Sequence, residues 1–360
     1  MTGPLARRIA DEVGTPVAVV DLDVVDRNIA RLQATLDAAG LGNRPHVKTH
    51  KSPELAMAQI AGGARGITVQ KLGEAEVMAA AGIDDILVSY NLLGAEKMAR
   101  LARLVAGGTT MTCAADNPLV LEHLATAGAL AGQPIRVVIE CDTGRERAGV
   151  ATPAEAVHLA RLVRASPHLA FAGILHYPPE TGWARARAFH VELVAGLASI
   201  GLAPEIVSTG GSPNLAHLGE LPGATEHRSG TSIFNDRMQM AAGVAGLGDC
   251  ALAIYTTVVS RAGETRGILD AGSKTLTTDT GGLDGHGLIL EYPEARIAKF
   301  AEEHGFLDLA RTNARPVVGE VVRVVPNHVC VVVNMMDRLL TVRGDEIVGW
   351  LDVAARGRLS

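Results

Sequence analysis

Lys48 lies in the run Arg44-Pro45-His46-Val47-Lys48-Thr49-His50-Lys51, and near the other end of the chain His328 and Cys330 flank one valine in Pro326-Asn327-His328-Val329-Cys330. A lysine directed into a protein interior is costly unless it is paired or loses its proton, because the ammonium gives up its hydration. A carbonyl cofactor removes that cost by forming a Schiff base with the amine, which is what pyridoxal phosphate does. Taken alone, Lys48 reads as part of a solvated, cationic strand end. An imidazole and a thiol two residues apart form a candidate metal pair, for which Zn²⁺ is the favoured ion and Mn²⁺ the alternative. A solitary His-x-Cys is more often core packing, since buried cysteine behaves as a small hydrophobe. The flanking Pro-Asn and the remote lysine run reverse those odds, and the two motifs together point to a lysine-anchored cofactor and a divalent metal serving one site.

Both motifs need elements to hold them. Short β-branched runs at Val17–Leu22, Pro45–Lys48, Gly66–Lys71, Asp85–Tyr90, Thr110–Ala115, Ile135–Asp142, Ala170–Tyr177 and Glu205–Thr209 alternate with Ala/Leu/Glu-rich helical stretches. That is the pattern of an α/β fold, a closed (β/α)₈ or TIM barrel. It places Lys48 on or at the end of the second strand, where alternation would put His46, Lys48 and His50 on one face. Chemistry in such a barrel belongs at the strands' C-terminal ends, which here carry Lys48, Gln70, Asn91, Asp142, Tyr177 and Gly210-Gly211. Beyond about residue 235 the texture changes to short runs and turns at Ala251–Ser260, Arg266–Asp270, Gly287–Glu291, Pro316–Val325, Val329–Asn334 and Arg338–Val342. These predict a C-terminal all-β domain with one helical stretch near Glu291–Glu303. The division is thus a barrel over 1–235 and a β domain over 236–360, with His328 and Cys330 projecting to one side of a valine-rich strand.

Composition bounds the partners. With 360 residues, 48% hydrophobic, the chain has a substantial core, and with 3% aromatic residues that core must be built from Ala, Val, Leu and Ile. The net charge of −6 comes with no basic block, which excludes nucleic acid as a partner and leaves small-molecule substrates. The N-terminal residues lack a signal-peptide core, and no apolar run approaches the roughly 20 residues that span a bilayer. Cys113, Cys141, Cys250 and Cys330 show no disulfide-module spacing, so the expectation is a cytoplasmic protein.

The lysine run, the segment Gln70-Lys71-Leu72-Gly73-Glu74-Ala75-Glu76 and the late Pro-Asn-His-x-Cys motif resemble the D-threonine aldolase and D-serine dehydratase family. These are metal-activated fold-type III pyridoxal phosphate enzymes of the alanine racemase class. The resemblance covers nearly the whole chain and implies a homodimer. It implies that Lys48 anchors the cofactor. The segment Asp142 to Gly149 matches the family's Asp-x-Gly-x-x-Arg-x-Gly turn, with Arg147 on the cofactor's phenolate oxygen. Ser208, Thr209, Gly210, Gly211 and Ser212 end a strand and offer N–H groups and hydroxyls to a phosphate, the cradle being completed by Gly230 and Thr231. Tyr177 falls where the class sets an aromatic against the cofactor ring. Arg228 looks like the racemase partner of the pyridine nitrogen, with Glu226 as the acidic alternative. His46, His50 and a metal-bound water are candidate extra bases, His50 being equally a support for the site.

The function implied is a lyase acting on D-configured β-hydroxy-α-amino acids. His-x-Cys resembles the family's dehydratases, and a Lewis acid on the β-hydroxyl favours its departure, so the reading leans to dehydration. Retro-aldol cleavage to glycine and an aldehyde is the alternative. A racemase would need a second base, for which Tyr255 and Tyr292 are the β-domain candidates. A non-catalytic pyridoxal phosphate carrier would lack the second domain.

Overall fold

The computed structural model describes residues 3–313 and 315–360. They form two compact units, one of residues 32–48, 53–230 and 357–360, the other of residues 3–31, 49–52, 231–313 and 315–356.

The first unit is built on eight parallel strands in the order Gly42–Asn43, Glu226–Arg228, Ile206–Gly210, Leu169–His176, Ile135–Cys141, Thr110–Ala115, Asp85–Val88 and Ile67–Val69. The two ends of this order are joined by a parallel bridge between His46 and Thr68, with the Thr68 N–H donating to the Pro45 carbonyl at 2.8 Å. Helices alternate with the strands, among them Pro118–Ala131, capped by Asn117, and Pro153–Ala165, opened by a capping box between Thr152 and Glu155. Leu87, Ala114, Val138, Ala172, Leu175 and Ile206 pack together inside, so Ala, Val, Leu and Ile fill the space as the scarcity of aromatics requires.

The strand over Val17–Asp21 corrects the expected barrel. Its β-branched run at the head of the alternating pattern reads as the first parallel strand, yet it pairs antiparallel with Leu252–Ala262 and parallel with Arg338–Arg343. Glu226–Arg228 supplies the eighth strand instead. The phosphate-type turn at 208–212 therefore follows the seventh barrel strand rather than the eighth.

In the second unit, nine strands among the described residues form the sheet, with Val17–Asp21 near its centre. The helix Pro4–Glu12 places Ala6 and Ile9 in a core with Val19, Tyr255, Val321, Leu340 and Val342. Two further expectations are corrected. Arg296–Phe300, read as helical, is a strand paired with Gly305–Asp308. Val329–Met335, read as a strand, is a helix. Its opening N–H, from Val329, donates to Asp236 Oδ2 at 2.9 Å, so a carboxylate from a distant segment caps it and overrides the β preference of its valines.

Candidate active site

Lys48 sits on a single 3₁₀ turn over Val47–Thr49, not on a strand, so alternation does not set the directions of His46, Lys48 and His50. His46, in the bridge to Thr68, donates through Nε2 to Gln70 Oε1 at 3.1 Å. The amide of Gln70 is fixed in turn by donating to the Ser89 carbonyl at 3.0 Å. This leaves His46 Nδ1 as an acceptor, shut off from solvent and without a hydrogen bond. Burial, then the charges of Lys48 and Arg228 and, last, Arg147, hold the His46 imidazolium well below its usual range. His46 is therefore neutral and lies among three cations, the arrangement an anionic ligand with a hydrogen-bond donor would complete.

Arg147 is carried on a loop organised by two aspartates. Asp142 Oδ1 accepts the N–H groups of Gly144 and Arg145 at 2.8 and 2.9 Å, and both its oxygens face the Glu146 N–H. The loop's far end is pinned by Asp116 Oδ2, which accepts the Gly149 N–H at 2.9 Å. Gly149 has φ +111°, and a Cβ there would lie 2.5 Å from the Asp142 nitrogen, so only glycine lets the loop close. The Arg145 and Arg147 guanidiniums then lie 4.1 and 5.0 Å from the Tyr177 ring centre. Gly211 brings its backbone close to the same ring: it has φ +101°, and a Cβ would come within 2.6 Å of Tyr177.

The phosphate candidates divide. Ser208 donates to Glu226 Oε1 at 2.6 Å and accepts from Arg228, while Thr209 pairs with His227 Nδ1 at 2.8 Å, so both hydroxyls are engaged within the sheet. Ser212 Oγ lies 2.7 Å from Ser229 Oγ, which ties the turn after Ile206–Gly210 to the segment before Gly230. Gly210, Gly211, Ser212 and Gly230 are the cradle candidates whose backbone N–H groups these side-chain pairings leave aside. Glu226 is held by Arg44 at 2.8 Å, and Arg228, buried, donates to the His176 carbonyl at 2.9 Å. Burial brings the Arg228 guanidinium down to about 10 and raises the nearby Glu140 carboxyl.

In the second unit His328 is the residue before the helix Val329–Met335 and Cys330 lies in its first turn, so helical rather than strand geometry brings them together. His328 Nδ1 pairs with Asp279 Oδ2 at 2.6 Å, so Nε2 is the nitrogen that a metal would take. The sulfur of Cys330 and, after it, the Asp279 carboxylate raise the His328 imidazolium to about 9. Two hydroxyls attend the sulfur, Thr49 Oγ1 at 3.2 Å and Thr231 Oγ1 at 3.8 Å. Thr231, expected to complete the phosphate cradle, turns its hydroxyl toward the thiol. Among the described residues, no group of three or more His, Cys, Asp and Glu side chains is arranged around a metal position. The pair fits a metal that takes the rest of its shell from water and substrate.

A profile for the alanine racemase N-terminal domain matches residues 20–238, and one described as "Putative serine dehydratase domain" matches 251–342. The D-threonine aldolase of an Arthrobacter species is 33% identical over 98% of this chain and 94% of its own length. The chain belongs to the D-threonine aldolase and D-serine dehydratase family. The D-threo-3-hydroxyaspartate dehydratase of Delftia sp. strain HT23 is also 33% identical, over 88% of this chain and 90% of its own. The solved D-threonine aldolase of Filomicrobium marinum superposes with a TM-score of 0.88 at 31% identity, covering 96% of both chains.

As a member of this family of pyridoxal phosphate-dependent lyases, the chain brings His46, Lys48, Arg147, Tyr177, Gly211 and Arg228 together in one unit, and His328 and Cys330 in the other. His50 is fully buried, its Nδ1 accepting the Ser52 N–H at 3.1 Å and its ring meeting Phe234 edge-on. That favours the supporting role over the base. Tyr255 is in the core and Tyr292 donates to Glu320 at 2.7 Å, so both β-domain tyrosines have structural partners. Asp116, Asp236 and Asp279 went unread as site residues because their partners lie 33, 93 and 49 positions away.

Proposed function

We propose that this chain is a pyridoxal phosphate- and divalent metal-dependent lyase of D-β-hydroxy-α-amino acids whose main reaction is dehydration to a keto acid and ammonia. The observation that carries the dehydration reading is the His328–Cys330 pair, with Asp279 fixing the imidazole through Nδ1. Imidazole plus thiolate suits Zn²⁺ before Mn²⁺. When bound, pyridoxal phosphate supplies an electron sink for charge developing at Cα, and the metal supplies a Lewis acid for the β-oxygen.

This chain's residues do the rest. Lys48 Nζ would anchor the cofactor covalently, and as a free amine beside Cα it would be the base that takes the Cα proton. Arg147, steadied by Asp142 and Asp116, would hold the cofactor's phenolate oxygen. Arg228 would meet the pyridine nitrogen, and Gly210, Gly211, Ser212 and Gly230 would receive the phosphate. Neutral His46 accepts through Nδ1 and gives up no proton. The proton leaves Cα, the hydroxyl leaves Cβ, and hydrolysis of the released unsaturated amine gives the keto acid and ammonia.

Retro-aldol cleavage is the second reading, supported by the extent of the likeness to D-threonine aldolase. A cytoplasmic homodimer is proposed with either. The test is product analysis on protein supplied with pyridoxal phosphate and Zn²⁺ or Mn²⁺, using D-serine, D-threonine and D-threo-3-hydroxyaspartate with L-forms as controls. Keto acid with ammonia upholds the dehydratase; glycine with an aldehyde or glyoxylate replaces it by the aldolase.

A further inference from the structure

Thr49 follows the anchoring lysine directly, and nothing in the cofactor chemistry requires a hydroxyl there. It is fully buried, at 0% exposure, on the turn Val47–Thr49. A buried hydroxyl without a partner is unfavourable, and the partner Thr49 finds is Cys330 Sγ at 3.2 Å. As long as the sulfur is a thiol, either atom can donate. A sulfur bound to a metal is a thiolate with no proton to give, so metal binding fixes the direction: the Thr49 hydroxyl donates and the sulfur accepts. Thr231 Oγ1, at 3.8 Å, stands as a longer contact to the same atom.

We infer that Thr49 is a positioning residue of the metal centre, its hydroxyl donating to the Cys330 thiolate to orient the sulfur and set how much charge it passes to the metal. The inference rests on the proposal that His328 and Cys330 are metal ligands. It also explains why a threonine stands beside the lysine: residues 48 and 49 are consecutive, so one turn carries an anchor for the organic cofactor and a support for the metal ligand.

The experiment loads the full-length protein with Co²⁺ in place of Zn²⁺ and records the thiolate-to-cobalt charge-transfer band, alongside Zn²⁺ affinity measured by competition with a chelator. Thr49→Val keeps the shape and removes the donor. The band should move to lower energy, because the unsupported sulfur is more electron-rich, and Zn²⁺ affinity should fall about tenfold, the lower end of the usual effect of losing a ligand's hydrogen-bond partner. Thr49→Ser, which restores the hydroxyl, should return both to the wild-type values. Thr231→Val should move the band less. If Thr49→Val does not accumulate as folded protein, Thr49→Ala carries the same comparison. An unchanged band and affinity in the valine variant would overturn the inference while leaving the metal pair intact, and so would a serine variant that behaves like the valine one. A wild-type protein with no thiolate band, or a band that survives Cys330→Ala, would remove the metal pair and the inference with it.

Discussion

At the scale of single residues, what an imidazole or a thiol can do is decided by the group beside it. Asp279 accepts from His328 Nδ1 at 2.6 Å, which on the proposed reading would leave Nε2 for a metal. Asp279→Asn keeps an acceptor oxygen but removes its charge. Metal affinity should fall between about tenfold and a hundredfold, measured by equilibrium dialysis with Zn²⁺, while the visible absorbance of bound pyridoxal phosphate stays as it was. Cys330→Ala should likewise leave that absorbance in place and abolish metal-dependent turnover; activity that survives both this change and exhaustive chelation would sink the metal reading. Cys113 and Cys141 show the contrast, since burial pushes the Cys113 thiol up to about 12 and raises Cys141 as well, leaving them as core residues. Lys48, His328 and Cys330 stand out in the sequence as candidates because their types are rare in the contexts where they stand. Asp279 was not, because it lies 49 positions from the histidine and no spacing rule links them.

At the scale of elements, legibility followed how local the determining forces are. The strand Thr110–Ala115 stands where its β-branched run placed it, and Leu169–His176 differs from its expected bounds by one residue at each end. Val17–Asp21 was recognisable as a strand, but a run buried on both faces is the same in a parallel barrel as in the middle of a mixed sheet, so its partners were not. The helix Val329–Met335 was misread because its decisive cap comes from elsewhere. Asp236 accepts the Gln239 N–H through Oδ1 at 3.0 Å and the Val329 N–H through Oδ2 at 2.9 Å, so one carboxylate opens two helices. Asp236→Ala should therefore cost about 1–4 kcal/mol, two caps at roughly 0.5–2 each. The loss would appear as a lower midpoint in urea unfolding, with metal affinity falling as the helix that presents Cys330 frays. A loss below about 0.5 kcal/mol would show that the valines hold the helix without it.

Across the whole molecule, the first unit keeps several histidines neutral inside the fold, and this governs its response to acid. His190 Nε2 donates to the Pro222 carbonyl at 2.8 Å, so its Nδ1 must accept, and His176 Nε2 donates to it at 3.2 Å. His176 Nδ1 is left buried without a partner. Burial, with smaller contributions from His190 and Arg228, brings the His176 imidazolium down to about 3. His227, donating to the Gly211 carbonyl and paired with Thr209, is likewise brought to about 3 by burial and the Arg228 charge. An unfolded histidine takes up a proton near pH 6.5. Between that pH and about 3 the unfolded chain binds these two protons and the folded chain does not, so their contribution is present above pH 6.5 and is lost as pH falls. Each such group makes the unfolding free energy fall by about 1.4 kcal/mol per pH unit across that window. His176→Gln retains a donor for His190 and removes the titrating ring. The slope of unfolding free energy against pH, measured by urea titrations between pH 6 and pH 4.5, should then be shallower than wild type by about one proton, or 1.4 kcal/mol per unit. An unchanged slope would mean that the His176 ring is protonated within the fold, and the tautomer chain through His190 to Pro222 could not then stand.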